Sequence, residues 1–344
     1  MTTYSFRTIA GVAALLASTS IAGAVDYAAP QSMEDGAQAD MAALSNDGDV
    51  RIAYMPPATE FNYYIAIGEG VKAQAAEAGV EVFMLAPQSG SDINGQMGMI
   101  QDAITQDVDA IILSTHDEAA AAPLVKRAVE KGIAVVIVNS DIGNFPTPVH
   151  AVVGYSQRNG THKIGEYLVD KAGGEALQVG VIEGLPGYHS TERVGGFLDG
   201  IEGSENLEVV ASIAGGWNVE GGNTAGMDLL QANPDIDVLF AANDYMIMGA
   251  ALAAKALGKS DLVLLGNDGD TAALEEIAGG SVTATVNTTP FVMGQIALQV
   301  TLDSLDGNFG GGFVETPTVV VDGESVLPAL QDPDSLYPKP SKSY

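Results

Sequence analysis

Residues 229–269 read LLQANPDIDVLFAANDYMIMGAALAAKALGKSDLVLLGNDG, and their pattern of apolar and polar residues indicates the fold class. Its apolar run at 238–242 predicts a buried strand, because it lacks the alternation of apolar and polar residues that marks a half-exposed strand. Residues 245–257 follow with helical spacing, and a second apolar run at 262–265 predicts another strand. Continuous apolar strands that alternate with helices indicate an α/β fold with a buried parallel sheet.

The same alternation fills most of the chain and falls into two blocks. In the first block, strands are predicted at 50–55, 80–85, 110–113 and 133–138, with helices at 64–78 and 119–131. In the second block, strands are predicted at 178–182, 208–213, 238–242, 262–265 and 283–286, with helices at 191–201, 224–232, 245–257 and 271–278. Two α/β lobes of similar plan are therefore expected, which agrees with a length of 344 residues.

The last part of the chain is expected to return to the first lobe through a helix at 291–305. A glycine-rich turn at 307–312 and a strand at 316–321 are predicted to follow it. The junction between the two blocks, near Gly154, carries no linker rich in proline and glycine. The chain is therefore expected to cross between the lobes through short hinge strands.

The first 24 residues have the features of a secretory signal peptide. Arg7 is their only charged side chain, an apolar run covers 9–17, and small residues at 22–24 predict cleavage after Ala24. The apolar run is shorter than the roughly 20 residues that a membrane anchor needs. Residues 25–48 show no sustained period, and we expect a flexible leader there.

Composition limits the classes of partner and of chemistry. The chain has no cysteine, which excludes disulfides, thiolate metal sites and the cysteine that anchors many exported binding proteins to lipid. A protein that stays soluble in a periplasm is expected. The net charge of -30 repels nucleic acid and anionic membranes, so neither is an expected partner.

Several signals for enzymes and cofactors fail on inspection. Residues 258–260 imitate the end of a phosphate-binding loop, but Ala253 stands where that loop requires glycine. No GxGxxG follows the first strand, no GxSxG is present, and the four histidines lack the spacing of metal ligands. We therefore expect no cofactor, no metal and no catalytic residue.

Polar residues directly after the apolar runs are the first candidates for a ligand site, because ligands of open parallel sheets collect at the carboxyl ends of strands. These residues are Asn139, Ser140 and Asp141; Glu183; Asn243 and Asp244; Asn267 and Asp268; and Asn287, Thr288 and Thr289. One such residue alone is usually a helix cap, whereas several that converge from two lobes predict a polar pocket. In the pair at 243–244, Asp244 is predicted to cap the helix and Asn243 to contact the ligand.

Aromatic residues supply the apolar half of a sugar site, since sugar rings present C–H faces to aromatic rings and hydroxyl edges to polar groups. Phe61, Tyr63 and Tyr64 follow the first strand, and Trp217, the only tryptophan, lies in the loop GGWN. We expect Trp217 in the pocket, with core packing as the alternative. Arg193 opens a predicted helix, where either a ligand contact or a surface ion pair is possible.

With these motifs the sequence resembles the ribose-binding-protein family, the type I periplasmic solute receptors of ABC importers. The resemblance covers residues 50–321, and 229–269 is its most specific part. It implies two Rossmann-like lobes with parallel sheets, joined by three hinge crossovers. The first lobe would comprise 49–154 plus 290–317, and the second 155–289 plus 318–344. Hinge closure would trap one small ligand.

Carried over by position, the resemblance implies a set of ligand-binding residues. These are Tyr63, Tyr64, Asn139, Ser140, Asp141, Arg193, Trp217, Asn243, Asp268, Asn287 and Thr288. Ribose-type members have Asp-Arg where this chain has Asn139 and Ser140, and a phenylalanine where it has Asn267. Both differences argue against ribose itself, although Asp141 could replace the missing carboxylate. Another pentose, a hexose, a polyol or a cyclitol is the expected ligand.

The resemblance implies a monomer that captures a sugar or polyol in the periplasm and delivers it to an ABC permease with its ATPase at the inner membrane. A periplasmic sensory receptor for chemotaxis or quorum signalling has the same sequence features. An exported glycosidase that uses Asp268 and Glu183 as paired carboxylates is a further alternative. A lac-type repressor is excluded, because a signal peptide stands where the basic helix-turn-helix would be.

Overall fold

The computed structural model describes residues 24–44, 48 and 50–331. Their strands are β1 Arg51–Met55, β2 Glu81–Met84, β3 Ala110–Leu113, β4 Ala134–Val138, β5 Ala151–Gly154, β6 Leu177–Glu183, β7 Leu207–Ala214, β8 Val238–Ala241, β9 Val263–Asp268, β10 Ala284–Asn287, β11 Gly312–Glu315 and β12 Val319–Asp322. Their helices are α1 Asn62–Ala78, α2 Ile93–Thr105, α3 Glu118–Glu130, α4 Gln157–Ala172, α5 Tyr188–Ile201, α6 Val219–Ala232, α7 Asp244–Ala256, α8 Thr271–Gly279, α9 Pro290–Leu305 and α10 Val326–Gln331, and a short 3-10 helix covers Met41–Ala43.

The first lobe is built on a sheet of six parallel strands in the order β11-β5-β4-β3-β1-β2. Alternate residues of β1 point to opposite faces: Ile52 and Tyr54 pack with α1 and α9, whereas Ala53 and Met55 pack with α2 and α3. Because helices cover both faces, every residue of β3 and β4 is apolar. The predicted parallel sheet is confirmed, including the return of α9 to this lobe.

The second lobe repeats the plan with six strands in the order β12-β10-β9-β8-β6-β7. All neighbours are parallel except β12, which runs antiparallel to β10. One face packs against α4 and α5, where the rings of Phe197 and Phe240 stack with centroids 4.1 Å apart. The other face packs against α6, α7 and α8. The two α/β lobes expected from the sequence are therefore both present.

The chain passes between the sheets three times: at the first crossing (155–156), the second crossing (288–289) and the third crossing (316–318). Three crossovers were expected from the resemblance. The strand predicted at 316–321 is present in part as β12, which starts at Val319 and pairs with β10, whereas β11, which precedes it and pairs with β5, was not predicted. The glycine-rich segment also ends earlier than predicted, since Gly312 already belongs to β11.

The segment predicted to be a flexible leader packs on the first lobe over residues 25–44. Tyr27 is buried and donates a hydrogen bond of 2.6 Å to Asp303 on α9. Gln31 exchanges backbone hydrogen bonds of 2.7 and 2.8 Å with Phe313. The leader therefore covers the outer edge of β11, whose N–H and C=O groups would otherwise lack partners. Isolated contacts of this kind leave no periodic pattern in the sequence.

The predicted signal peptide covers residues 1–24, of which 1–23, including the apolar run, lie outside the described part of the chain. Within the described ranges, no helix combines the length and the apolar character that crossing a membrane requires.

Candidate functional site

A cavity lies between the lobes, where the carboxyl ends of both sheets face each other. The loops after β1, β3 and β4 and the first turns of α1 and α3 supply its first-lobe wall, which consists of Phe61, Tyr63, Tyr64, His116, Glu118 and Asn139. The second-lobe wall consists of residues 185–190 together with Arg193, Trp217, Asn243, Tyr245 and Asp268. The position agrees with the rule that ligands bind at the carboxyl ends of parallel strands.

The predicted site residues divide into two groups. The cavity is lined by Tyr63, Tyr64, Asn139, Arg193, Trp217, Asn243 and Asp268, whereas Ser140, Asp141, Asn287 and Thr288 are not among its lining residues. Members of the second group form hydrogen bonds next to the crossings instead. Asp141 accepts bonds of 3.0 Å from the Gln157 amide and from the Tyr188 hydroxyl, and Asn287 accepts one of 3.0 Å from the amide of Thr289. Asp141 and Asn287 therefore form hydrogen bonds next to the first and second crossings and do not line the pocket.

Arg193 is the only arginine or lysine among the lining residues, and its side chain is almost fully buried. Its Nη1 donates to Asp268 Oδ1 at 2.9 Å and to the Ala242 carbonyl at 3.0 Å. Its Nε donates to Gln157 Oε1 at 2.6 Å. The guanidinium carbon also lies 5.5 Å from the centroid of the Trp217 ring. The alternative of a surface ion pair is therefore wrong.

Asp268 forms the acidic half of this pair and ends β9. Burial raises its pKa to about 6, although Arg193 acts in the opposite direction and favours the carboxylate. Its backbone has a φ of 144°, which side-chain-bearing residues rarely adopt. Asn139, with a φ of 62°, and Trp217, with a φ of 71°, share a positive φ. Unusual backbone conformations therefore concentrate in the walls of this cavity.

Asn139 organises the tyrosines of the first-lobe wall. Its Oδ1 accepts from the Tyr63 hydroxyl at 2.9 Å, and its Nδ2 donates to the Tyr64 hydroxyl at 3.3 Å. The Tyr63 hydroxyl also lies 2.7 Å from the Thr288 hydroxyl at the second crossing. Burial raises the pKa of both tyrosines, so their hydroxyls remain protonated.

The roles predicted for Asn243 and Asp244 must be corrected. Asn243 is the N-cap of α7: its Oδ1 accepts from the Met246 amide at 2.9 Å, although it also lines the cavity. Asp244 is the first residue inside the helix, so its side chain cannot take the cap position. It is fully buried instead and accepts bonds of 2.8 Å from the amides of Gly269 and Asp270.

Trp217 is held from two sides. Its carbonyl accepts from Asn243 Nδ2 at 3.1 Å, and its indole ring lies against the backbone of Gly184. A Cβ atom on Gly184 would come within 2.0 Å of the indole Cζ2 atom, so only glycine fits there. The cap, the glycine and Arg193 together fix the orientation of the tryptophan.

Two contacts across the cavity show that the lobes are closed. The amide of Asn62 in the first lobe donates at 2.8 Å to the hydroxyl of Tyr245 in the second. The rings of Phe61 and Tyr245 meet edge to face with centroids 5.5 Å apart. Sequence reasoning missed Tyr245 as a site residue, because it falls inside a helix whose apolar pattern indicates core.

Glu118 and His189 face each other from opposite lobes, and neither was predicted. His189 Nε2 lies 3.7 Å from Glu118 Oε1. Burial lowers the pKa of His189 to about 3 and raises that of Glu118, so the contact joins a neutral ring to a carboxyl group. Burial also lowers the pKa of His116. Arg193 is therefore the one side chain in the walls that keeps a positive charge at neutral pH, and Asp268 already balances it.

The carboxylate pair proposed for a glycosidase is not assembled. Glu183 is not among the lining residues, and its carboxylate accepts a hydrogen bond from Ser212 on the neighbouring strand. Residues 24–44, 48 and 50–331 contain no cluster of three or more side chains suited to a metal ion.

Comparison with known proteins agrees with this architecture. A family described as "Periplasmic binding protein domain" matches residues 52–309. The D-ribose/D-allose-binding protein of Pseudomonas aeruginosa is 30% identical over 287 residues, which cover 79% of this chain and 88% of that protein. The ribose import binding protein of Bacillus subtilis is 29% identical over 71% of this chain and 78% of its own length.

Among solved structures, the Caulobacter myo-inositol binding protein with bound myo-inositol is similar, with a TM-score of 0.75 and 25% identity. The match covers 85% of this chain and 99% of that one.

Proposed function

The chain belongs to the periplasmic binding protein family, whose members bind solutes and are not enzymes, and from this premise we propose that it captures a neutral monosaccharide or related polyol in the interlobe cavity. One observation carries the proposal: a buried arginine and aspartate, paired at 2.9 Å, stand beside aromatic faces in a closed space. Charged groups form stronger hydrogen bonds with hydroxyls than neutral groups do, and aromatic rings pack against the C–H faces of a sugar.

The charge balance of the cavity favours a ligand without net charge. Arg193 and Asp268 cancel each other, the histidines of the walls are neutral at pH 7, and Glu118 supplies no cation. A uronate or a sugar phosphate would bring a negative charge to a site that has no free cation to receive it. Sugars and cyclitols avoid this desolvation cost.

Closure of the two lobes is the structural change by which a membrane partner can distinguish the ligand-bound protein from the free protein. The contacts between Asn62 and Tyr245, and between Asp141 and Tyr188, join the lobes and exist only when the lobes are close. A ligand that touches both walls stabilises this closed state over the open one. The closed surface is then the form that a membrane partner recognises.

The residues at positions 139–141 bear on which sugar is bound. The departures at Asn139 and Ser140 weigh against ribose, and Asp141 does not supply the missing carboxylate, because its oxygens accept from Gln157 and Tyr188. Relatives are named for D-ribose, D-allose and ribose import, and a solved neighbour holds myo-inositol. A hexose or a cyclitol is the ligand that we propose.

The partner in this proposal is an ABC importer, made of a permease and its ATPase at the inner membrane. We further propose that the chain reaches the periplasm through a signal peptide cleaved after Ala24, and that it works as a monomer.

The test is a thermal-shift screen of the purified protein with D-ribose, D-allose, myo-inositol and D-glucuronate, combined with an assay for glycoside hydrolysis. A ligand at 100 times its dissociation constant adds about 2.7 kcal/mol of stability, which is readily seen. At least one neutral compound should stabilise the protein, and no glycoside should be hydrolysed. Stabilisation by D-glucuronate alone, or turnover of a glycoside, would contradict the proposal.

A further inference from the structure

Gln157 lies outside the walls of the cavity but contacts the arginine at its centre. It is the first residue of α4, directly after the first crossing, and it is completely buried. A buried glutamine must have the N–H and C=O groups of its side chain hydrogen-bonded, because a buried polar group without a partner lowers stability. The partners of Gln157 therefore indicate what the residue does.

The partners of Gln157 belong to both lobes. In the first lobe, its backbone amide donates to Asp141 Oδ2 at 3.0 Å, and its Nε2 lies 3.4 Å from the Asn139 carbonyl. In the second lobe, its Oε1 accepts from Arg193 Nε at 2.6 Å. One residue thus links the loop after β4, the first crossing and the site arginine.

A second nitrogen of the Arg193 guanidinium group, Nη1, is also hydrogen-bonded within the protein. Nη1 is taken by Asp268 and by the Ala242 carbonyl, at 2.9 and 3.0 Å. No hydrogen bond within the described chain uses Nη2. Because the group is planar, fixing Nε and Nη1 also fixes the direction of Nη2. Nη2 is the nitrogen left for a ligand oxygen.

We propose that Gln157 is a positioning residue, which orients Arg193 so that Nη2 points at the ligand and which ties this orientation to the first crossing. The ring of Tyr155, in the same crossing, lies 5.7 Å from the guanidinium carbon and supports it from another side. Because Gln157 joins the first crossing to Arg193, the hinge closes and the arginine becomes aligned at the same time. The effect on affinity rests on the proposed function, whereas the effect on the arginine does not.

The affinity test is a double-mutant cycle with Gln157→Met and Arg193→Lys, in which lysine keeps the charge but lacks Nε. Gln157→Met should weaken binding of D-allose or myo-inositol by about tenfold in the wild-type background, and by less than about twofold beside Arg193→Lys. Gln299→Met is the matched control, since Gln299 is a buried glutamine bonded to Gln74 and Asp303 in the first lobe. It should leave the affinity unchanged. Equal losses in both backgrounds would overturn the proposal.

A second measurement needs no ligand, because Trp217 is the only tryptophan and stands 5.5 Å from the guanidinium carbon. Gln157→Met should change the emission of Trp217 in the free protein, and Gln299→Met should not. An unchanged emission would overturn the positioning role even if both variants fold. If the wild type binds no sugar but the emission changes, the proposed function fails and the positioning role stands.

Discussion

The two walls of the interlobe cavity are built from different chemistry. The second-lobe wall holds the buried ion pair of Arg193 and Asp268, whereas Tyr63, Tyr64 and Asn139 of the first-lobe wall are neutral and bonded to one another. Hydrogen bonds to charged groups are stronger than those between neutral groups. The second lobe is therefore expected to provide most of the affinity, and the first lobe to complete the enclosure.

The difference also concerns how each wall is held in place. Arg193 has hydrogen-bond partners on three sides, in Gln157, Ala242 and Asp268. In the tyrosine wall, Asn139 bonds to both tyrosine hydroxyls and Thr288 to that of Tyr63, so all of these partners are neutral. Changes in the second lobe should therefore reduce both affinity and stability, whereas changes in the first lobe should reduce affinity slightly.

The largest effect is expected for Arg193→Met. It removes the main donor and leaves the buried Asp268 without its cation, so binding of D-allose or myo-inositol should weaken by at least about 100-fold. Urea unfolding should show a loss of about 3 kcal/mol or more. Arg158→Met is the control, because Arg158 forms a bidentate pair with Asp199 at the surface and is not a lining residue. An affinity within tenfold of the wild type would contradict the ranking of the walls.

Trp217→Ala comes next in the second-lobe wall. The variant removes the ring that lies over the Arg193 guanidinium and that we propose to cover one face of the ligand, so calorimetry should show affinity weakened by more than about tenfold. Trp217→Phe keeps an aromatic face and should recover most of this loss. Equal affinities for wild type and Trp217→Ala would show that the tryptophan ring does not contact the ligand.

The pH dependence tests the acidic half of the pair. The pKa of Asp268 is raised to about 6, so this carboxyl takes up a proton as the pH falls from 7 to 5 and loses its strength as an acceptor. Affinity should therefore decrease about tenfold between pH 7 and pH 5. The contribution of the same group to folding has the opposite sign: it is present at low pH and is lost as the pH rises from about 4 to 6.

Asp268→Asn provides the control for this titration. The variant should bind weakly at both pH values, with little difference between them. A wild-type affinity that stays constant from pH 7 to 5 would show that the Asp268 carboxylate does not receive a ligand hydroxyl.

The smallest effect is expected in the first-lobe wall, for Tyr64→Phe. This change removes one hydroxyl that lies 3.3 Å from Asn139 Nδ2, and affinity should decrease by about threefold. Tyr167→Phe, which alters a tyrosine that is not a lining residue, should have no effect. A loss as large as that of Arg193→Met would reverse the comparison between the walls.

The sequence predicted the lobes well because their strands are continuous apolar runs. It missed α4, whose residues QRNGTHKIGEYLVDKA carry few apolar side chains. Gly165 of this helix lies so close to α5 that a Cβ would come within 2.7 Å of the Phe197 carbonyl oxygen. Backbone-to-backbone packing replaces an apolar stripe there, so no hydrophobic period marks the helix.

Site residues were predicted where they lie at the carboxyl end of a strand, as Asn139, Asn243 and Asp268 do. Tyr245 and the loop at 185–190 were missed, because their place in the cavity depends on how the second lobe closes on the first. The exchange of roles between Asn243 and Asp244 has a local cause: the helix starts at Asp244, one residue earlier than a cap at Asp244 requires. A shift of one residue decides which side chain reaches the amide of Met246.

The most direct measurement is a crystal structure of the wild-type protein with the neutral sugar or cyclitol that stabilises it most. We expect closed lobes, with ligand hydroxyls within hydrogen-bond distance of Arg193 Nη2 and of the Asp268 carboxylate, and with Trp217 against a C–H face. A ligand bound elsewhere, or bound in the cavity without contact to Arg193 and Asp268, would show that this ion pair is not the centre of the binding site.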